Sequence, residues 1–170
     1  EIKLVGHPNL RFGRSNFPSK RKLCKSILIP LFSPKEARLP TSLALGSFDG
    51  LHAGHKRVIE AITCNPTGIP SVVSFWPHPR EVLYGESRLR LDLPSEKTSL
   101  LGPLGIEQLI LIPFNQYLAK LSPKEFVDDI LLKTLKAKQI SVGENFRFGK
   151  NREGNALTLK KLVEDLDVDV

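Results

Sequence analysis

The chain of 170 residues contains no methionine, two cysteines, one tryptophan and two tyrosines. Each shortage excludes something. Without an initiator methionine, the sequence is expected to begin downstream of its translation start. Cys24 and Cys64 are too few for a disulfide framework or a zinc set, which suits a reducing compartment. No apolar run approaches the ~20 residues that span a bilayer, and the longest, such as Leu109 to Phe114, are strand-sized. Acidic residues are missing from Ile2 to Lys35, and the basicity sits there. The net formal charge is +7, residues 1–40 hold nine Lys/Arg against Glu1 and Glu36, and residues 41–170 hold sixteen of each sign. A basic chain raises nucleic acid as a first candidate partner, yet this excess belongs to a leader and not to the body.

The leader interleaves Arg11, Arg14, Lys20, Arg21, Lys22 and Lys25 with Pro and Ser, a composition that resists packing. It reads as an organellar transit sequence, a mobile basic extension or upstream sequence without function; no amphipathic Arg period runs through it to favour the first. Ser26 to Phe32 is a short apolar run fit for an edge strand or a cover. From Pro40 onward short apolar runs alternate with helical periods. Strands are expected at Ser42 to Leu45, Ser71 to Phe75, Gln108 to Phe114 and Gln139 to Val142, with another beginning at Asp167 to Val170. Helices are expected at His55 to Thr63, Ser95 to Leu104, Ser122 to about Leu135 and Ala156 to Leu166. The third opens on Ser122-Pro123-Lys124-Glu125, with Ser122 as N-cap and Glu125 completing a capping box. Alternation of this kind predicts one α/β domain, residues 41–170, with a doubly wound parallel sheet that binds ligands at the carboxyl ends of its strands.

Chemistry concentrates in Gly46-Ser47-Phe48-Asp49-Gly50-Leu51-His52-Ala53-Gly54-His55, between the first strand and the first helix. Glycines permit a close-approach backbone, a helix N-terminus attracts anions, and two imidazoles can donate to phosphate oxygens and stabilise charge in phosphoryl or nucleotidyl transfer. A metal pair is the competing reading of His-x-x-His, but no third Cys or His ligand lies nearby. The loop is neither a Gly-x-Gly-x-x-Gly fingerprint nor a Gly-Lys-Ser/Thr phosphate loop. After the second strand, prolines on both sides of His78 stiffen the chain and present its imidazole at a strand end; a plain solvent-facing loop is the alternative. Trp76 beside it can stack on a ring or simply pack. After the fourth strand, Asn145 offers a donor and an acceptor for a heterocycle edge, while of Phe146 and Phe148 one is expected in the core.

GSFDGLHAGH resembles the G-x-F-D-G-x-H-x-G-H signature of the bacterial FAD synthetases, the adenylyltransferase half of the bifunctional riboflavin kinase/FAD synthetase family. Phe75-Trp76-Pro77-His78-Pro79 resembles the F-x-P-H-P block of that family, and Val142-Gly143-Glu144-Asn145-Phe146-Arg147-Phe148-Gly149, followed by Arg152 and Gly154, resembles its V-G-[DE]-[DN]-F-x-F-G block. The stretch FNQYLAKLSPKEF fits as well. The blocks cover about residues 42 to 165 in the family's order. The resemblance implies a Rossmann-like sheet of the H-x-G-H nucleotidyltransferase type that transfers AMP from ATP to FMN, giving FAD and pyrophosphate, with Mg²⁺ offsetting the phosphate charge. It implies catalysis by His52 and His55, ATP binding by Gly46, Ser47, Phe48, Asp49, Gly50 and Gly54 with both histidines, and flavin or nucleotide binding by His78, Pro79, Glu144, Asn145, Phe146 and Arg147. Metal ligands stay unassigned.

The implied partners are small-molecule nucleotides and a C-terminal riboflavin kinase domain in the full-length protein, with no nucleic acid and no membrane. The implied setting is the cytoplasm, or an organelle if the leader is a transit peptide. The family's Ser/Thr-rich I-S-S-T-x-[IV]-R segment follows its fifth strand and is not reached by Val170. Weak or no synthetase activity is therefore expected of these 170 residues by themselves. Two alternatives remain: another nucleotidyltransferase of the superfamily, or a catalytically incomplete nucleotide-binding fragment. A nucleic-acid module gripped through the leader is favoured by charge alone.

Overall fold

The computed structural model describes residues 28–85 and 93–170. The expectations for the basic run Arg11 to Lys25, for Cys24 and for the start of the leader lie outside the described residues. Five strands form one sheet: β1 (Pro30–Leu31), β2 (Thr41–Leu45), β3 (Ile69–Trp76), β4 (Gln108–Pro113) and β5 (Ala137–Val142), in the order β1-β4-β3-β2-β5 and with every pair parallel. β2 is buried along its whole length, as a central parallel strand covered on both faces must be. The expected edge strand within Ser26 to Phe32 is β1, two residues paired with Leu109 and Ile110 of β4. Asp169 bridges Gln139 in parallel on the far side of β5, where the sequence suggests a strand beginning.

The helices α1 (Ala53–Thr63) and α3 (Pro94–Leu101) close one face over Ile59, Ile62, Leu101, Val72 and Leu109. The opposite face buries Leu43, Val73, Ile110 and Ile140 beneath Phe126, Val127, Leu131 and Leu159. Phe126, Val127 and Leu131 come from Phe126–Thr134, the π-wound continuation of α5 (Pro123–Glu125), and Leu159 from α6 (Ala156–Leu162). Each such Leu or Ile contributes about 1.5–3 kcal/mol by leaving water. The capping box is in place: Ser122 Oγ accepts from Glu125 N at 3.2 Å and Ser122 N donates to Glu125 Oε2 at 2.8 Å. The bond from Ser122 N, with a second from Ser122 Oγ to the same Oε2 at 2.7 Å, holds the Glu125 carboxyl below its ordinary pKa.

Two helix boundaries and two short helices depart from the sequence reading. The first helix starts at Ala53, two residues early, because His52 supplies an N-cap that residue preference does not anticipate. The last helix stops at Leu162 and leaves Leu166 46% exposed, since the chain turns there to bring Asp169 beside β5. Two short helices, α2 (Pro79–Tyr84) and α4 (Gln116–Lys120), are too brief to show a period.

Chain order runs from β2 to β3 to β4 in one direction and then returns to β5 on the other side of β2. The connections therefore diverge between β2 and β5, and a crevice opens beyond Leu45 and Val142, which are register partners. Residues 46–55 leave from one lip and residues 143–149 from the other.

Candidate active site

The loop leaving β2 is fastened before it reaches the histidines. Gly46 N donates to Val73 O at 3.2 Å. The Ser47 carbonyl accepts two bonds, from Ser74 Oγ of β3 at 3.1 Å and from Lys97 Nζ of α3 at 2.8 Å. Phe48 then takes a left-handed φ of 46°, which costs an aromatic residue about 1–2 kcal/mol. Burial offsets that cost, because Phe48 is 1% exposed. Its ring lies 5.0 Å from the His55 ring, and His55 stacks on His52 at 3.8 Å and 23°. A column of three rings thus rises from the core to the surface.

His52 caps α1 with its own imidazole. Nδ1 accepts from the N–H of Gly54 at 3.1 Å and, at the long limit of 3.4 Å, from that of His55. The helix N-terminus is therefore not a set of open amides, as its sequence position suggests; two of its N–H groups already point at a side chain. An Nδ1 lone pair used this way leaves the proton on Nε2, so neutral His52 presents a donor outward. Gly54 allows the fold-back: a Cβ there would sit 3.0 Å from His52 Cε1 and 3.1 Å from Nδ1.

His55 has the opposite polarity. Its Nδ1 lies 3.0 Å from the Gly50 carbonyl, which can only accept, so Nδ1 carries the proton and neutral His55 turns a lone pair outward at Nε2. Burial lowers its pKa below the usual 6.5, the Gly50 bond raises it, His52 and Lys97 lower it, and Asp49 raises it, with a net lowering. Facing a phosphate, His55 becomes a donor only by gaining a proton, and an anion favours that gain.

The opposite wall comes from the ends of β3 and β5. His78 caps α2 as His52 caps α1, with Nδ1 accepting from Arg80 N at 3.2 Å. Asn145 and Glu144 are exposed on the β5 loop, and Arg147 folds back to donate to the carbonyls of Phe146 at 2.8 Å and Glu144 at 3.2 Å. Phe148 is the core member of its pair, 4% exposed, with Phe146 stacked on it at 5.7 Å. Between these walls lies a cavity of about 680 Å³.

The cavity is lined by Gly46, Ser47, Phe48, Gly54, His52 and His55 from the first loop, and by His78, Pro79, Glu144, Asn145, Phe146 and Arg147 from the others. Asp49 faces instead a cavity of about 20 Å³ behind it, shared with Lys97 and Trp76, and Gly50 lines neither. Trp76 packs on the α1 and α3 side of the core. Sequence reasoning missed Arg57, Arg80 and Lys97. The two arginines sit inside or beside recognised blocks but carry no pattern of their own, and Lys97 has no local signal.

Among the described residues no three His, Cys, Asp or Glu side chains cluster as metal ligands, and no helix is long and apolar enough to cross a membrane. The arrangement offers one imidazole donor and a second imidazole that donates once protonated, both facing a roomy crevice, a layout that could hold a phosphate chain beside a flat ring.

Known proteins resemble this chain. The family described as FAD synthetase matches residues 35–170. Proteins named bifunctional riboflavin kinase/FMN adenylyltransferase are 32% identical over 132 residues in Escherichia coli and 35% identical over 139 residues in Bacillus subtilis. The matches cover 75% and 78% of this chain and 42% of each relative, so the chain spans less than half the length of those proteins. A solved structure named as a macrolide-efflux protein from Streptococcus pneumoniae superposes with a TM-score of 0.66 at 28% identity, covering 85% of this chain and 49% of that one.

Proposed function

The chain belongs to the FAD synthetase family, and we propose that it forms the FMN adenylyltransferase site of a bifunctional flavin-nucleotide enzyme. The reaction joins FMN and ATP. A phosphate oxygen of FMN attacks the α-phosphorus of ATP, the bond to the bridging oxygen breaks, and pyrophosphate leaves without a covalent enzyme intermediate. Positioning and charge stabilisation carry such a step. His52 donates through Nε2–H, and His55 donates once protonated, both to the phosphate chain; Mg²⁺ arrives with ATP. Asn145, with Phe146, His78 and Pro79, reads the flavin or nucleotide ring from the opposite wall.

One observation carries this reading: the stacked His52–His55 pair, at 3.8 Å, and the Asn145 loop meet across one crevice at the point where the strand connections diverge. The name of the Streptococcus structure describes that protein, and nothing in this crevice suggests macrolide efflux. The test is calorimetric titration of the chain with ATP·Mg²⁺, FMN, pantetheine phosphate and nicotinamide mononucleotide, with FAD and pyrophosphate assayed alongside. Binding of ATP and FMN with competition between FMN and FAD is the expected result. Preference for either of the other acceptors would move the chain to a different nucleotidyltransferase activity.

A further inference from the structure

Lys97 stands outside every sequence block discussed above, fifty residues from the loop it touches. It belongs to α3, whose Thr98 and Leu101 are buried against the sheet, so its backbone is referenced to the core. The half-buried side chain crosses to the first loop and donates from Nζ to the Ser47 carbonyl. That carbonyl sits immediately before Phe48, the residue whose backbone turns left-handed and whose ring supports His55. The second donor, Ser74, is a neutral hydroxyl on β3; the bond from Lys97 carries a full charge and is the stronger of the two.

From this geometry we infer that Lys97 is a positioning residue for adenylyl transfer, holding the Ser47 carbonyl and through it the Phe48, His55 and His52 column. The inference rests on the proposed function of the crevice. Lys97 acts through other residues in two ways. Its hydrogen bond fixes where the loop turns, and its charge reaches His55. Among the described residues, the charged and titratable groups that act on His55 are His52 from the helix cap, Asp49 from the loop and Lys97 from α3. Lys97 and His52 oppose protonation of His55, whereas Asp49 favours it. Burial is the largest cause of the lowered His55 pKa, and the Lys97 charge adds a smaller lowering that a bound phosphate chain would oppose.

The experiment compares Lys97→Met, which removes donor and charge, with Lys97→Arg, which keeps both. In the 170-residue chain without substrate, the imidazole titration of His55 is followed by nuclear magnetic resonance. Its midpoint is expected to rise in Lys97→Met and to stay in place in Lys97→Arg. In the full-length protein, with ATP, FMN and Mg²⁺, kcat is expected to fall about 10- to 100-fold in Lys97→Met, as for a misplaced catalytic group, with smaller change in KM, and Lys97→Arg to recover most of it. An unchanged midpoint in Lys97→Met overturns the inference. So does an equal loss of rate in both variants accompanied by a fall in melting temperature, which marks a purely structural lysine. If the unaltered chain makes no FAD and binds neither nucleotide, the proposed function fails, while the titration still decides whether Lys97 governs His55.

Discussion

The two loops that face each other across the crevice are stabilised by different means. The loop of residues 46–55 is held from within the fold: sheet and helix donors fix the Ser47 carbonyl, Phe48 is buried, and His52 caps its own helix. Its functional side chains therefore have few alternatives. The loop after β5 is held by its aromatic base, where Phe148 pairs with Gly154 through backbone bonds of 3.1 and 2.9 Å and Phe146 stacks above it. Above that base Glu144 and Asn145 project into solvent. Under the proposed function the first loop stabilises charge that develops during reaction, which demands fixed donors. The second would present exposed groups to a bound ring, with its stability carried by other residues.

The comparison breaks most visibly at the histidines. In the full-length protein His55→Ala is expected to lower turnover about 10²- to 10³-fold, the range for deleting one preorganised donor, while the melting temperature moves little. His52→Ala should match it in rate and also lose a cap, about 1 kcal/mol in denaturant unfolding. Equal loss of stability and of rate would show the pair to be structural. Next in size is Gly154→Ala, whose Cβ would lie 2.8 Å from the Phe148 ring. A loss of about 1–3 kcal/mol by urea unfolding is expected, with kcat per folded molecule nearly kept. Asn145→Ala, at an exposed position, should leave unfolding unchanged and raise KM for FMN roughly 3- to 10-fold, the equivalent of one ordinary hydrogen bond.

The smallest effect is the pH dependence of stability. The folded pKa of His55 lies below the 6.5 of the free side chain, so in the window between them the unfolded chain binds a proton that the folded chain does not. Stability from this group is full above 6.5 and declines as pH falls through that window. His55→Gln should flatten that part of the urea-unfolding profile; an unchanged slope would mean that His55 is not held neutral.

Much of the fold is legible locally. Ser122 and Glu125 announce their helix because a capping box uses residues three apart, and β2 announces itself as a short apolar run between turn signals. The site blocks are legible for the same reason, since each lies within about ten residues at a strand end. What is illegible is long-range or unconventional. A histidine serving as an N-cap breaks the usual residue preference, and two helices of five and six residues offer too little periodicity. The 3.4 Å limit of one cap bond and the polarity of each imidazole depend on coordinates that no spacing rule supplies.

Residue patterning alone set the alternation of strand and helix, the three strand-end loops in which the motif blocks lie, and the confinement of the +7 charge to the first 40 residues. Tertiary structure decided which loops meet: only the return of the chain from β4 to the far side of β2 opens a crevice between residues 46–55 and 143–147. It also decided how the histidines are armed, because Nδ1 of one meets backbone donors and Nδ1 of the other meets a carbonyl. A residue type fixes which atoms can bond; the fold fixes which partners those atoms find, and with them where each proton sits.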